Sequence, residues 1–244
     1  MNKPYIVVSC PIDTYSGYGS RARDVVRALM RSDKYDVKIL SQRWGNTPYG
    51  FLNEDNPEEK KMKDATIPPQ LQRQPDVWIQ ISVPDEFQKL GKFNIGITAG
   101  IETDLCDVRF IQGANKMDLL LGSSNHSLYA LKNSQYEQKD QAGKVVGVIK
   151  LETPTDILFE GVDLEKYFPI EPKDLPKTEL VQSLDTIEED FSFLYVGHWL
   201  RGAIGEDRKN TGLLIKTFLE TFKNRKKAPA LIMKTMTGPA SIMD

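Results

Sequence analysis

The most constraining feature of the sequence is the order of its first three segments. The run PYIVVSC at 4–10 is short and β-branched, which predicts a buried strand. The run SRARDVVRALMRS at 20–32 places Ala22 and Val26 on one face at helical spacing, and YDVKILS at 35–41 predicts a second strand. A strand, a helix and a strand in this order predict a crossover connection, and therefore a parallel sheet.

The alternation of predicted strands and helices continues after an interruption. Residues 45–74 form a polar, proline-containing excursion for which we expect little regular structure. A helix over 125–133, capped by Ser123 or Ser124, is predicted further along the chain. Strand-like runs resume at 75–84, 92–100, the end of 113–124 and 155–163.

The second part of the chain has its own composition. Residues 171–190 are rich in Asp and Glu, which predicts a linker, and a strand, a helix and a strand follow it. We therefore predict an α/β protein with a Rossmann-like domain at 1–170 and the beginning of a second one at 191–244. Because two strands and one helix leave most of a parallel sheet uncovered, we expect the second domain to be incomplete, its missing half lost by truncation or supplied from elsewhere.

Charge and cysteine content narrow the class of function. The 244 residues carry a net charge of −2, which weighs against a nucleic-acid partner. Cys10 and Cys106 have neither disulfide nor metal-ligand spacing, so we expect two reduced, buried thiols and no metal. The sequence contains no secretory signal pattern, and its apolar runs fall short of the ~18 residues of a membrane span. We expect a cytoplasmic protein, and the sequence leaves its oligomeric state open.

Two glycines follow the first strand in the run SGYGSRARDVVRAL at 16–29. Gly17, Gly19 and Ala22 fit the dinucleotide pattern G-x-G-x-x-A, but six residues separate the first glycine from the strand. The second strand also leads into SQR at 41–43, where a nicotinamide site would place an acid. Two interpretations remain: an anion site at the start of a helix, or a turn that needs a positive φ.

Basic residues open the last predicted helix. Arg208, Lys209 and Asn210 come just before that helix. At the amino-terminal end of a helix, the helix dipole favours anions over cations. This arrangement suits a diphosphate held between the cations and the backbone N–H groups. The alternative is an ordinary exposed basic turn.

Five segments, taken in order, resemble the two-domain GT-B glycosyltransferases of the retaining family 4 type, and together they cover most of residues 4–235. They are SGYGSRARDVVRAL, GITAGIETDLCDVRFIQGANKMDLLLGSSNHSLYAL, ILFEGVDLEKYFP, FSFLYVGHWLRGAIGEDRKNTGLLIKTFLETF and ALIMKT. The resemblance implies transfer of a hexose from a nucleoside-diphosphate sugar to an acceptor hydroxyl, with retention and without a cofactor or metal. The resemblance leaves the acceptor open among a glycan, a lipid and a protein.

The resemblance also assigns roles to residues. Gly17, Gly19, Arg208 and Lys209 would contact the donor phosphates, and Glu102 would orient the acceptor hydroxyl or take its proton. An alternative for Glu102 is a cap on the turn that follows it.

In the family a basic residue often follows the glycine of the opening donor-domain strand. Here His198 follows Gly197, so Arg201 is a possible substitute, with Asn210 as a further contact. The family's remaining donor-site carboxylates would lie beyond Asp244, which leaves two other hypotheses open. One is a non-catalytic remnant or subunit that binds an anionic ligand or a partner. The other is a sugar-nucleotide epimerase.

Overall fold

The computed structural model describes residues 3–101, 103–165, 167–199, 202–207 and 209–236. The chain divides into two compact units, Met1–Gly161 (unit 1) and Val162–Asp244 (unit 2). This division lies a few residues before the linker predicted from the acidic composition of 171–190. Among the described residues, no helix is long and apolar enough to cross a membrane.

Unit 1 is built on a parallel sheet, as predicted. Its strands are β1 (Tyr5–Cys10), β2 (Asp36–Ser41), β3 (Val77–Ile81), β4 (Phe93–Thr98), β5 (Leu119–Gly122), β6 (Tyr136–Lys139), β7 (Val145–Ile149) and β8 (Thr155–Ile157). Six of them pair in the order β2-β1-β3-β4-β5-β8, and every pairing is parallel. β6 and β7 form a separate antiparallel hairpin, which the strand pattern did not predict.

A short segment extends the sheet beyond β2. Thr66 bridges Ile39 in parallel, through hydrogen bonds from Ile39 N to Ala65 O (3.0 Å) and from Ile67 N to Ile39 O (2.8 Å). If this segment is counted as a strand and the strands of this sheet are numbered in chain order, the order across the sheet becomes 3-2-1-4-5-6-7. Here 3 is the new segment, and 4 to 7 are β3, β4, β5 and β8. The first six positions have the strand order of dinucleotide-binding sheets. The direction of strand addition reverses between β1 and β3. This reversal is the topological switch point, where sheets of this kind bind ligands.

Four α-helices accompany the strands in the part of unit 1 that the structure describes. They are α1 (Gly17–Arg31), α2 (Pro57–Asp64), α3 (Val108–Ala114) and α4 (Asn125–Asn133). Ala22 and Val26 of α1 are fully buried, as their spacing predicted. The helix predicted over 125–133 is confirmed, and its cap is Ser124, whose Oγ accepts from Ser127 N at 3.1 Å.

The prediction of little regular structure over 45–74 is wrong at α2. Asn56 caps that helix, because its side-chain oxygen accepts from Glu58 N (3.0 Å) and Glu59 N (3.4 Å). Pro57 occupies the first helical position, where its missing N–H is not needed. These signals are local, and they do not depend on the apolar periodicity that the segment lacks.

Both faces of the central strands are covered. Trp78 of β3 packs with Tyr5 and Val7 on one side of the sheet. The other side packs against α1 through Ile6, Val8, Cys10, Ile79 and Ile81. Burial on two faces explains why β1 is a continuous apolar run rather than an alternating one. Cys10 and Cys106 are buried and unpaired, and burial raises the pKa of Cys10 to about 12.

Unit 2 contains the predicted strand, helix and strand. Its elements are α5 (Glu179–Leu184), β9 (Ser192–His198), α6 (Thr211–Phe222) and β10 (Ala230–Met236). β9 and β10 pair in parallel. Phe193 of β9 packs near Phe218 and Phe222 of α6, with ring centroids 6.2 and 6.0 Å away. α5, inside the predicted linker, contributes no buried residue.

A carboxylate joins two strands at the amino-terminal edge of the main sheet. Asp118 Oδ2 accepts from the backbone N (2.8 Å) and side-chain Nδ2 (2.9 Å) of the buried Asn94, and Oδ1 lies 3.3 Å from Lys89 Nζ. The hydrogen bond from the Asn94 side chain holds the pKa of Asp118 below its usual value, and the Asn94 backbone and Lys89 add to the effect. Asp118 therefore stabilises the fold above its unfolded pKa of about 4, and the stabilisation is lost as the pH falls through the folded value.

We expect Asp118→Asn to lower the free energy of unfolding by about 1 kcal/mol at pH 7, because two charge-assisted hydrogen bonds are weakened. The difference from the wild type should shrink as the pH falls from 5 toward 2. Urea denaturation at several pH values measures it. Lys89→Met is the control and should have a smaller effect, since the Lys89 side chain is 60% exposed. A pH-independent difference would contradict the assignment.

Candidate functional site

The loop from β1 to α1 lies at the carboxyl-terminal edge of the sheet, beside the switch point. Gly17 is the first residue of α1, and neither it nor Gly19 has a positive φ. The interpretation as a positive-φ turn is therefore wrong. A Cβ on Gly19 would lie 2.5 Å from Thr14 O and 2.9 Å from Pro11 O, whereas a Cβ on Gly17 would meet no atom within 4 Å. Gly19 is thus required by close packing of the loop, and Gly17 leaves the helix end open.

Hydroxyl groups organise the first turn of α1. Ser16 Oγ accepts from Gly19 N at 2.9 Å and lies 2.8 Å from Thr14 Oγ1. Thr14 Oγ1 in turn donates to Pro11 O at 2.9 Å. The cap is neutral, so the partial positive charge at this helix end is not neutralised by its capping residue. An anion could approach this end at the exposed Gly17.

A buried arginine of α1 donates hydrogen bonds to the loop between β1 and α1. Arg23 is 6% exposed, and its Nη1 donates to Ile12 O (2.8 Å) and Thr14 O (2.9 Å). Its guanidinium lies 3.5 Å from the centroid of the Phe51 ring. Burial lowers the pKa of Arg23, while the negative charges of Glu59 and Asp24 oppose the shift. Sequence analysis did not identify Arg23, because an arginine within an amphipathic helix is expected to lie on the exposed face.

The segment 44–52, which we call the covering segment, packs on the same loop. Tyr49 bridges Thr14 in antiparallel pairing, and Tyr15 N donates to Pro48 O at 3.0 Å. Asp13 O accepts from the backbone N of residues 50 and 51, and Asp13 Oδ1 accepts from the N of residue 52 at 2.7 Å. The loop and the covering segment therefore form one hydrogen-bonded layer.

Two aromatic rings lie at the switch point. Tyr18 of α1 stacks on Trp44 of the covering segment, with centroids 4.2 Å apart and planes 28° apart. The Tyr18 hydroxyl lies 3.1 Å from Thr98 Oγ1 and accepts from Ala99 N at 3.0 Å. Tyr18 therefore connects the start of α1 to the end of β4, across the edge where β1 and β3 end.

Glu102 lies outside the described residues, and the loop before it contains Gly100. Gly100 has a φ of 77°, and a Cβ there would lie 2.1 Å from Ser127 O. Only glycine therefore fits between the end of β4 and the first turn of α4. His126 is exposed on that turn.

Arg21 of α1 contacts the chain after β8. Its Nη1 donates to Phe159 O at 3.1 Å, and its Nη2 donates to Leu158 O. This pair of bonds joins the start of α1 to the last residues of unit 1.

In unit 2, a carboxylate occupies the start of α6. Asp207 is 5% exposed, and its two oxygens accept from Lys209 N and Thr211 N, both at 2.7 Å. The Lys209 side chain is exposed, and Asn210 is left-handed (φ 51°) and makes no side-chain cap. His198 is the last residue of β9. Arg201 and Arg208 lie outside the described residues.

No protein-family model matches the sequence, and no curated protein matches it significantly. Within the described part of the chain, no group of three or more His, Cys, Asp or Glu side chains is arranged to hold a metal ion.

We expect Arg23→Met to lower the free energy of unfolding by about 3 kcal/mol, because two buried carbonyls lose their donor. Urea denaturation measures the change. Arg31→Met, in the last turn of the same helix, is the matched control. The Arg31 side chain is 67% exposed and pairs with Glu58, so its loss should cost about 0.5 kcal/mol. Equal effects of the two substitutions would show that Arg23 does not support the loop.

Proposed function

We propose that the protein is a retaining glycosyltransferase of GT-B architecture, which acts in the cytoplasm on a nucleoside-diphosphate hexose. The observation that carries the proposal is the strand order of unit 1. It creates a switch point beside the open end of α1, which is a favoured ligand position in parallel α/β sheets. The parallel β9–β10 pair, with a basic turn before α6, supplies a second potential phosphate site.

In this proposal Lys209 and Arg208 of unit 2 contact the donor diphosphate, and the Gly17 end of α1 is a separate candidate phosphate site on unit 1. Negative charge on the diphosphate grows as the glycosidic bond breaks, so fixed cations and helix N–H groups stabilise the transition state without a metal. Gly19 contributes by packing, since its N–H already donates to Ser16 Oγ. His198, Arg201 and Asn210 are additional candidate contacts.

The carboxylate of Asp207 determines how the turn before α6 can bind a phosphate. It takes the N–H groups of Lys209 and Thr211, which a phosphate therefore cannot use. The contact then depends on the side chains of Lys209 and Arg208.

On the acceptor side, the proposal gives the chemistry to Glu102. Glu102 comes four residues after β4 in the sequence, and β4 ends at the edge of the sheet where ligands bind. Its carboxylate would hold the acceptor hydroxyl toward the anomeric carbon and receive its proton as the new bond forms.

We expect Lys209→Ala to weaken the binding of UDP or GDP to the full chain about tenfold, because one charge-assisted contact with the phosphates is lost. Isothermal titration calorimetry measures the affinities. Lys216→Ala is the control, since Lys216 lies further along α6 and pairs with Glu220 at 2.8 Å. Equal affinities for Lys209→Ala and the control would refute the phosphate assignment.

The nature of the reaction is tested by the release of nucleoside diphosphate from a panel of nucleotide sugars. Release that an acceptor stimulates supports transfer. Binding without turnover supports the non-catalytic alternative, and inversion of a sugar centre without an acceptor supports an epimerase.

A further inference from the structure

An open cleft of about 520 Å³ lies on unit 1, beside the carboxyl ends of β2 and β3. One wall follows β2, and the other is formed by the turn at 85–88 after β3. The polar residues that line it are Gln42, Arg43, Gln80, Asp85, Glu86, Gln88 and Lys116.

Both walls of the cleft are fixed to the sheet. Gln80 of β3 is 2% exposed, and its amide accepts from Gln88 N (2.9 Å) and donates to Glu86 O (2.8 Å). On the other wall, Gln42 N donates to Cys10 O (2.8 Å) and Gln42 Nε2 donates to Ser9 Oγ (2.7 Å). The cleft is therefore preorganised, so a ligand would not have to order its walls.

The chemistry of the lining residues points to a neutral ligand that is rich in hydroxyl groups. Asp85 and Glu86 oppose a phosphate, while Arg43 and Lys116 oppose a cation. Amide, carboxylate and guanidinium groups each offer paired donors or acceptors that match vicinal hydroxyls. A lipid would need a contiguous apolar wall, whereas Phe87 in this wall is fully buried.

Trp44 lies one residue beyond Arg43, which lines the cleft, and is not itself a lining residue. Its ring is held by the stack on Tyr18, whose hydroxyl is bonded at the end of β4. The ring remains partly exposed. Rigid, partly exposed aromatic rings beside polar groups are typical of sites that bind rings with one apolar face.

We infer that the acceptor is a carbohydrate chain, with its hydroxyls in the cleft and one pyranose ring packed on Trp44. This inference rests on the proposed function, which assigns the acceptor to unit 1. It selects a glycan among the acceptor classes that the sequence leaves open.

The test uses the full chain and four soluble probes: maltopentaose, cellopentaose, chitopentaose and mannopentaose. We expect at least one to bind in a calorimetric titration, and both Trp44→Ala and Asp85→Asn to weaken that binding about tenfold. Trp44→Phe should retain most of the affinity, because a ring remains. Phe93→Ala is the control, since Phe93 is a 44% exposed ring at the first residue of β4, on the opposite edge of the sheet.

The outcomes separate this inference from the proposed function. The inference is wrong if no probe binds, or if Trp44→Ala and Asp85→Asn behave like Phe93→Ala. The inference is also wrong if the protein transfers sugar to a lipid or a protein and Trp44→Ala is fully active. The transferase proposal would then still stand. Glycan binding that depends on Trp44, in a chain that binds no nucleoside diphosphate, would support the inference and refute the transferase.

Discussion

The candidate site of unit 1 depends on the buried guanidinium of Arg23. A buried charge is costly unless its hydrogen bonds are satisfied, and Arg23 meets this condition through Ile12 O, Thr14 O and the face of Phe51. These partners belong to the β1–α1 loop and the covering segment. One side chain of α1 thus holds both against the helix. Ser16, the cap of α1, belongs to the same loop, and Trp44 is the first residue of the covering segment.

Apolar spacing predicted the parts of the fold that are governed by burial. β1, α1 and β2 were predictable because strands covered on both faces and an amphipathic helix leave distinct periods in the sequence. α2 was not predicted, since its eight residues are mostly charged and only Met62 is buried. The pairing of Thr66 with Ile39 left no trace in the sequence, because a single bridge requires no run of apolar residues.

The candidate site was less predictable, because its key contacts join residues that are distant in sequence. Gly19 could be recognised as special, but its reason is the approach of Thr14 O and not its backbone conformation. The Tyr18 hydroxyl reaches Thr98 and Ala99, 80 and 81 residues away, which no local pattern encodes. Asp207 is only two residues from Lys209, yet an acid beside a base in a turn reads as ordinary surface charge until its hydrogen bonds are known.

The two helix starts differ in the charge of the group that caps them, and this determines how each could hold an anion. At α1 the cap is the neutral hydroxyl of Ser16, so the helix dipole still attracts an anion to the open backbone at Gly17. At α6 the carboxylate of Asp207 already accepts from the first helical N–H, that of Thr211, and from Lys209 N in the preceding turn. An anion there needs side-chain cations to outweigh that carboxylate, so its binding depends on Lys209, whereas binding at α1 depends on the backbone. Replacement of Lys209 should therefore weaken anion binding at α6 and leave anion binding at α1 unchanged.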